Sequence, residues 1–250
     1  RPFEEYMSTH EQVKAVFLDA AHTILELARP YPHMLHSALA KYGYEYPYGR
    51  VEKVLRSEWR KVEHLFNGKH EDTRIDDERD RELWGDFYRM MLASLGIEGY
   101  PPRLLDEVYT QFGDPDNWVL YPETLETIRV LKKHGYTVGI GSNWDSRLPN
   151  ILKTLKVLDE VDTVVVSAII GHRKPAREFF KAECEQVGLQ PHEVMHVGDH
   201  PDADVHGAVT SGLAATLVWR RKEEPNLEHD VPVIPDLTGL IGVLQSDSAS

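Results

Sequence analysis

The sequence predicts an α/β fold, a Rossmann-like parallel sheet flanked by helices, with a helical cap subdomain inserted into it. Three observations predict it. Short apolar runs of strand character recur along the chain, stretches of helical periodicity separate them, and one long segment after the first run is helical throughout.

The first run, residues 13–19, reads V-K-A-V-F-L-D. Similar runs follow at 137–142, 163–167, 194–198 and 214–219. Runs that are apolar on both alternating faces suit strands buried on both sides, as in parallel sheets. Helical periodicity occupies 123–134, 148–158, 176–188 and 203–212, so right-handed strand–helix–strand crossovers follow. Gly135, Gly188 and Gly212 each come directly after a helical pattern, where a left-handed residue closes a helix.

Residues 28–116 carry no strand-like run. Their spacing predicts helices at 31–42, 50–66, 77–95 and 102–112. The expected organisation is therefore a discontinuous α/β core, 13–27 with 117–245, and a helical cap, 28–116, hinged near 27–32 and 113–118. Trp59, Trp84 and Tyr88 read as helix-packing residues of the cap. The polar stretch 68–76 reads as a solvated loop, and the tail 246–250 as a frayed end.

Composition narrows the function. The 250 residues include 28 Lys and Arg against 41 Asp and Glu, a formal net charge of −13. Such a field repels nucleic-acid backbones and anionic lipid, so neither is an expected partner. A phosphorylated small molecule needs a local cation to approach. No apolar run reaches the roughly 18 residues of a membrane-spanning helix, and the polar start at 1–12 lacks the apolar middle of a signal peptide. Cys184 is the only cysteine, so no internal disulfide forms. It reads as a buried thiol in a cytoplasmic protein, expected as a monomer or homodimer.

Parallel sheets bind ligands beyond the carboxyl ends of their strands. The first strand ends in Asp19, followed by Ala20-Ala21-His22-Thr23, and the second in Ser142-Asn143. After the third comes Gly171-His172-Arg173-Lys174-Pro175, and the fourth ends in Gly198-Asp199-His200-Pro201-Asp202-Ala203-Asp204. Taken singly, each has a plain structural reading. Asp19 caps a helix, Ser142-Asn143 makes a turn, Lys174 is solvated, and Asp202 with Asp204 begins a helix. Together they bring carboxylates, a hydroxyl and an ammonium to one crevice. Asp19 and Asp199 repel each other unless a cation lies between them, and an oxygen-only ligand set suits Mg²⁺. Lys174 keeps the nucleophile ionised, Ser142 donates to a phosphoryl oxygen, and Asp204 orients a metal-bound water or Lys174.

These residues resemble the haloacid dehalogenase superfamily, in its capped subfamily I. The family pattern is a strand ending in D-x-D-x-T, a Ser or Thr after the second strand, a Lys before a helix, and G-D-x-x-x-x-D. Here those positions read D-A-A-H-T at 19–23, G-S-N at 141–143, R-K-P at 173–175 and G-D-H-P-D-A-D at 198–204. The chain most resembles the group typified by the rhythmically expressed gene 2 product. The resemblance implies an Mg²⁺-dependent phosphohydrolase that acts on a small phosphorylated metabolite through an aspartyl-phosphate. It makes Asp19 the nucleophile and places Thr23, Ser142, Asn143 and Lys174 around the phosphoryl group. Asp19, the backbone carbonyl of Ala21, and Asp199 then hold the metal, with Asp204 behind them.

Ala21 departs from the pattern. The family's second Asp protonates the leaving oxygen and activates water, and alanine can do neither. General acid–base catalysis contributes roughly 10²–10⁴ in rate, so esters of poor leaving groups turn over slowly. His22, next in sequence, titrates near neutral pH, but its side chain is expected to point elsewhere. Three alternatives stand beside the phosphatase. One is a binding protein that keeps metal and phosphate affinity without turnover. Another resembles phosphonoacetaldehyde hydrolases, which also carry Ala at this position but need a Schiff-base lysine in the cap, where Lys41, Lys53, Lys61 and Lys69 are available. The last resembles the metal-free dehalogenases, against which Asp199 and Asp204 speak.

Overall fold

The computed structural model describes residues 12–68 and 73–245. The polar start up to residue 11, residues 69–72 of the polar loop with Lys69, and the tail 246–250 lie outside the described residues.

The first strand, β1 (Ala15–Leu18), is followed by a short β2 (Leu25–Leu27). Four helices then come in succession: α1 (Tyr31–Lys41), α2 (Tyr48–Asn67), α3 (Asp77–Leu95) and α4 (Pro102–Gly113). The chain returns through β3 (Trp118–Leu120) and α5 (Thr124–Lys133) to β4 (Thr137–Ser142), α6 (Leu148–Thr154) and β5 (Thr163–Val166). After a short α7 (Ser167–Ile170), α8 (Arg177–Val187) leads into β6 (Val194–Gly198). The chain ends with α9 (Gly207–Thr210), β7 (Ala214–Val218), β8 (Val233–Ile234) and α10 (Leu240–Gln245).

The sheet order is β5-β4-β1-β6-β7-β8, and every neighbouring pair is parallel. Alternation along β1 sends Val16 and Leu18 to a cluster with Ile128, Leu131, Ile151 and Leu240, while Ala15 and Phe17 join Phe179, Phe180 and Ala208. The helices α5, α6 and α10 thus cover one face, and α8 and α9 the other. Strand β1 lies where connections to the two sides diverge, the switch point at which such sheets open a crevice.

The inserted helices bury an apolar cluster of their own, built on Leu35, Leu39, Leu55, Phe87, Tyr88 and Met91. The start of α3 is legible in its chemistry. Asp76 accepts a 2.8 Å hydrogen bond from the Arg79 amide, and Asp77, Glu78 and Asp80 fill the first turn.

Several expectations need correction. An antiparallel ribbon, in which Leu25 pairs with Leu120 and Leu27 with Trp118, adjoins the expected hinges and meets them at Leu27 and Trp118. The helix expected over 148–158 ends at Thr154, and Lys156 takes a positive φ of 65° in the turn beyond. The helix expected over 203–212 begins as a π-helical turn, Pro201–His206. Strand β8 has only two residues, too few to leave a periodic signal.

Phe17 is fully buried, and its ring occupies the space that a side chain on Gly139 would need. Phe17→Ala should cost about 3–5 kcal/mol of stability, read as a lowered midpoint in chemical denaturation.

Candidate catalytic crevice

A crevice of about 790 Å³ opens between the sheet edge and the insertion, and Asp19, Ala21, Ser142, Asn143, Lys174 and Asp199 line it. Asp19 leaves β1 with its amide still bonded to the Val197 carbonyl at 2.8 Å. The next carbonyl, that of Ala20, accepts from the amides of Thr23, Ile24 and Leu25. This tight turn lifts Asp19 and Ala21 clear of the sheet.

The side chain of Lys174 is buried. Its ammonium donates to Asp19 Oδ1 at 2.7 Å, Asp204 Oδ1 at 2.6 Å and the Gly141 carbonyl at 3.0 Å. Burial alone would lower the pKa of this amine, but Asp19 and Asp204 outweigh it and raise it above the usual lysine value. Ser142 Oγ donates to the same Asp19 Oδ1 at 2.8 Å. Both bonds fall on one oxygen, and Oδ2 accepts neither. Asn143 holds the backbone of Lys174 from both sides, accepting from its amide at 2.7 Å and donating to its carbonyl at 3.1 Å.

Asp204 is committed to the protein. Its Oδ1 accepts from Lys174 and lies 3.0 Å from His196 Nε2, and its Oδ2 accepts from the His200 amide at 2.8 Å. Burial would raise its pKa, but Lys174 and His196 lower it far below the usual carboxylate range. Gly198 has no side chain because the Asp204 carboxylate lies against it. The His200 ring accepts from the amides of Asp202 and Ala203, which starts the π-helical turn.

Asp199 contrasts with Asp204. Burial, then the charges of Asp204 and Asp19, push its pKa well above the carboxylate value. The nearest cation, Arg221, stands 3.6 Å away. Carboxylate oxygens of Asp19, Asp199 and Asp204 lie within 4.8 Å of one another. The ammonium of Lys174 serves Asp19 and Asp204 and makes no bond to Asp199. This all-oxygen set fits a hard divalent cation at Asp19 and Asp199, with Asp204 occupied behind them.

Some expected positions differ. Thr23 is fully buried, its hydroxyl has no hydrogen-bond partner, and it is not among the crevice residues. His22 takes a positive φ of 62° and lies exposed at the crevice mouth. Partial burial of the ring outweighs the attraction of Asp19 and lowers its pKa. Trp59 and Trp84, expected to pack between helices, do so and also line the crevice. Burial pushes the Cys184 thiol up to about 11, so it stays protonated, away from the crevice.

Sequence reasoning missed three features. Within β6, His196 sits between Glu183, 2.9 Å from Nδ1, and Asp204. Arg220 clamps the turn after β1, donating to the Thr23 carbonyl at 3.0 Å and to Glu123 at 2.5 Å. Asp80 of α3 lines the crevice where the insertion meets the loop after β4. Burial and Asp145 push its carboxyl up to about 7.

The sequence profile of the haloacid dehalogenase-like hydrolases matches residues 13–212. Haloacid dehalogenase-like hydrolase domain-containing protein 3 of Mus musculus is 25% identical over 253 residues, covering 98% of this chain and 98% of that protein. Glyceraldehyde 3-phosphate phosphatase of Methanothermobacter thermautotrophicus is 30% identical over 136 residues, covering 50% of this chain and 58% of its own length. The magnesium-bound crystal structure of the HAD-hydrolase YfnB from Bacillus subtilis superposes with a TM-score of 0.72 at 17% identity, covering 93% of this chain and 98% of that one. That last similarity is one of fold.

Burial opposes charge on His196, but Glu183 and the bond to Asp204 prevail and raise its pKa to about 9. A raised histidine pKa contributes stability that is full below about 6.5 and is lost as pH climbs through about 9. Urea denaturation should therefore show a midpoint falling between pH 6.5 and 9, and His196→Gln should flatten that decline.

Proposed function

The chain belongs to the haloacid dehalogenase-like hydrolases, and from that premise we propose a Mg²⁺-dependent phosphohydrolase acting on a small phosphorylated metabolite. One observation carries the reading. Ser142 and Lys174 fix Asp19 through a single oxygen, and carboxylate oxygens of Asp19, Asp199 and Asp204 gather within 4.8 Å of one another. The relative named a glyceraldehyde 3-phosphate phosphatase supports a phosphate ester as substrate class.

Asp19 Oδ2 attacks phosphorus, the bond from phosphorus to the leaving oxygen breaks, and an aspartyl-phosphate forms. Lys174 holds Asp19 ionised and meets the charge of the transferring group, while the Ser142 hydroxyl meets it by turning its one proton away from Asp19 Oδ1. Water then releases inorganic phosphate and restores the carboxylate. Mg²⁺ held by Asp19, the Ala21 carbonyl and Asp199 would offset phosphoryl charge. Acidic side chains outnumber basic ones around the crevice, so an anion needs that offset to enter.

Ala21 gives the leaving oxygen no proton and the attacking water no base. It also supports a second reading, in which phosphate is bound but hardly turned over. A Schiff-base mechanism finds less support. Lys41 pairs with Glu107 and Lys61 with Glu58, and among the described residues no lysine of the insertion lines the crevice.

Acetyl phosphate, small and with a good leaving group, separates these readings. The phosphohydrolase should release phosphate from it only with Mg²⁺, and Asp19→Asn should reduce kcat at least ~10³-fold. Absence of release with any divalent metal would leave the binding protein. Ala21→Asp should raise kcat/KM on an alkyl phosphate by about 10²-fold. An unchanged rate with the fold intact would mean that another group already supplies the proton.

A further inference from the structure

The two ends of the crevice differ in chemistry. The sheet edge is ionic, and the rest of the wall is aromatic. Trp59 of α2 stacks on Trp84 of α3, with ring centroids 5.8 Å apart and 14° between planes. Trp84 stacks on Phe112 of α4 at 5.5 Å, Phe112 lies 6.1 Å from Trp118, and Trp118 lies 4.8 Å from Trp144. All five rings line the crevice. Trp144 stands two residues after Ser142, whose hydroxyl bonds Asp19. The aromatic wall therefore starts beside the nucleophile and runs unbroken into the insertion.

This wall exceeds what packing requires. Trp59, Trp84, Phe112 and Trp144 are only half-buried, and a contiguous apolar surface left open marks a binding site. Two polar atoms interrupt it. The hydroxyls of Tyr31 and Tyr88 are buried against each other, and both residues line the crevice.

The reacting end carries an independent constraint. With Ala21 in place of an acid, the leaving oxygen departs without a proton. A phenol has a pKa of about 10, as in tyrosine, whereas an alkyl alcohol is nearly as weak an acid as water, at about 15.7. A phenolate can therefore leave unaided where an alkoxide cannot. We propose that the crevice takes phosphate monoesters of an aromatic alcohol, with the ring against Trp59, Trp84 and Phe112 and the phosphoryl group at Asp19. The chemistry rests on the phosphohydrolase reading. Asp19 forms the new phosphorus–oxygen bond as the aryl oxygen–phosphorus bond breaks. The electron pair leaves on the phenolate, which takes its proton from water. Hydrolysis of the acyl phosphate then releases phosphate, and the proton from the attacking water goes to solvent.

Three measurements on the full chain with Mg²⁺ test this. Phenyl phosphate should exceed methyl phosphate in kcat/KM by at least ~10²-fold, and Trp59→Leu should reduce the ratio of phenyl phosphate to acetyl phosphate kcat/KM about tenfold. Phenylphosphonate should also bind the unaltered protein at least ~10-fold more tightly than methylphosphonate, which judges the aromatic subsite without turnover or substitution. Equal binding of the two phosphonates, or equal turnover of the phenyl and methyl esters, would overturn the inference. Failure to hydrolyse even acetyl phosphate would sink the phosphohydrolase reading, while a retained phenylphosphonate preference would still support the subsite.

Discussion

The buried ammonium of Lys174, held between the carboxylates of Asp19 and Asp204, is the interaction on which the rest of the site depends. A lysine out of water is costly unless every proton finds an acceptor. Here Asp19, Asp204 and the Gly141 carbonyl supply the three acceptors. That requirement explains much of the surrounding sequence. Gly198 is bare so that Asp204 can lie against the strand, the π-helical turn brings Asp204 back over β6, and the Asn143 amide fixes the Lys174 backbone on both sides. His196 and Glu183 extend the same alternation of charge into the core.

The arrangement also sorts three similar carboxylates into three roles. Asp204 is saturated by donors and serves as a support. Asp19 is tethered through one oxygen and keeps the other for chemistry. Asp199 has neither role: Arg221 pairs with it at 3.6 Å, yet burial and its carboxylate neighbours raise its pKa. Such a group suits a ligand that brings positive charge. The net charge of −13 makes the point more general, since an anionic substrate approaches an acidic protein only where charge is locally reversed.

The sheet and the strand-end residues were legible because a parallel sheet imposes both. Buried strands must read as apolar runs, and ligands meet the strands at their carboxyl ends. What stayed hidden depends on partners distant in sequence. The ribbon pairs Leu25 with Leu120, and neither three-residue strand carries a period that can be recognised. Arg220 reaches back almost two hundred residues to the turn after β1. His196 did leave a trace, as one polar letter within the apolar run V-M-H-V. So did Glu183, a carboxylate on the stripe of α8 that buries Phe179, Phe180 and Cys184. Two polar residues that break apolar patterns, on elements predicted to pack together, are the signature of a buried pair. Thr23 is the opposite case. Its place in a motif suggested contact with substrate, yet the turn that brings Asp19 and Ala21 to the crevice folds Thr23 inward.

The loops that carry the reacting groups are also the loops that grip the insertion. Beyond Ser142 and Asn143, the Ser146 amide donates to Asp77 of α3 at 2.8 Å, and Arg147 donates to the Tyr109 carbonyl of α4 at 2.9 Å while stacking on its ring. Beside Lys174, Arg173 donates to the Leu65 carbonyl of α2 at 2.6 Å, and its amide bonds the Thr73 carbonyl. Three of the four inserted helices are thus tied to the backbone on either side of the Lys174–Asp19 contact. A shift of the aromatic wall must pull on the segments that position Ser142 and Lys174. Small displacements at a reacting centre are costly in rate. The insertion and the sheet edge therefore share one set of contacts, and the geometry around Asp19 depends on both.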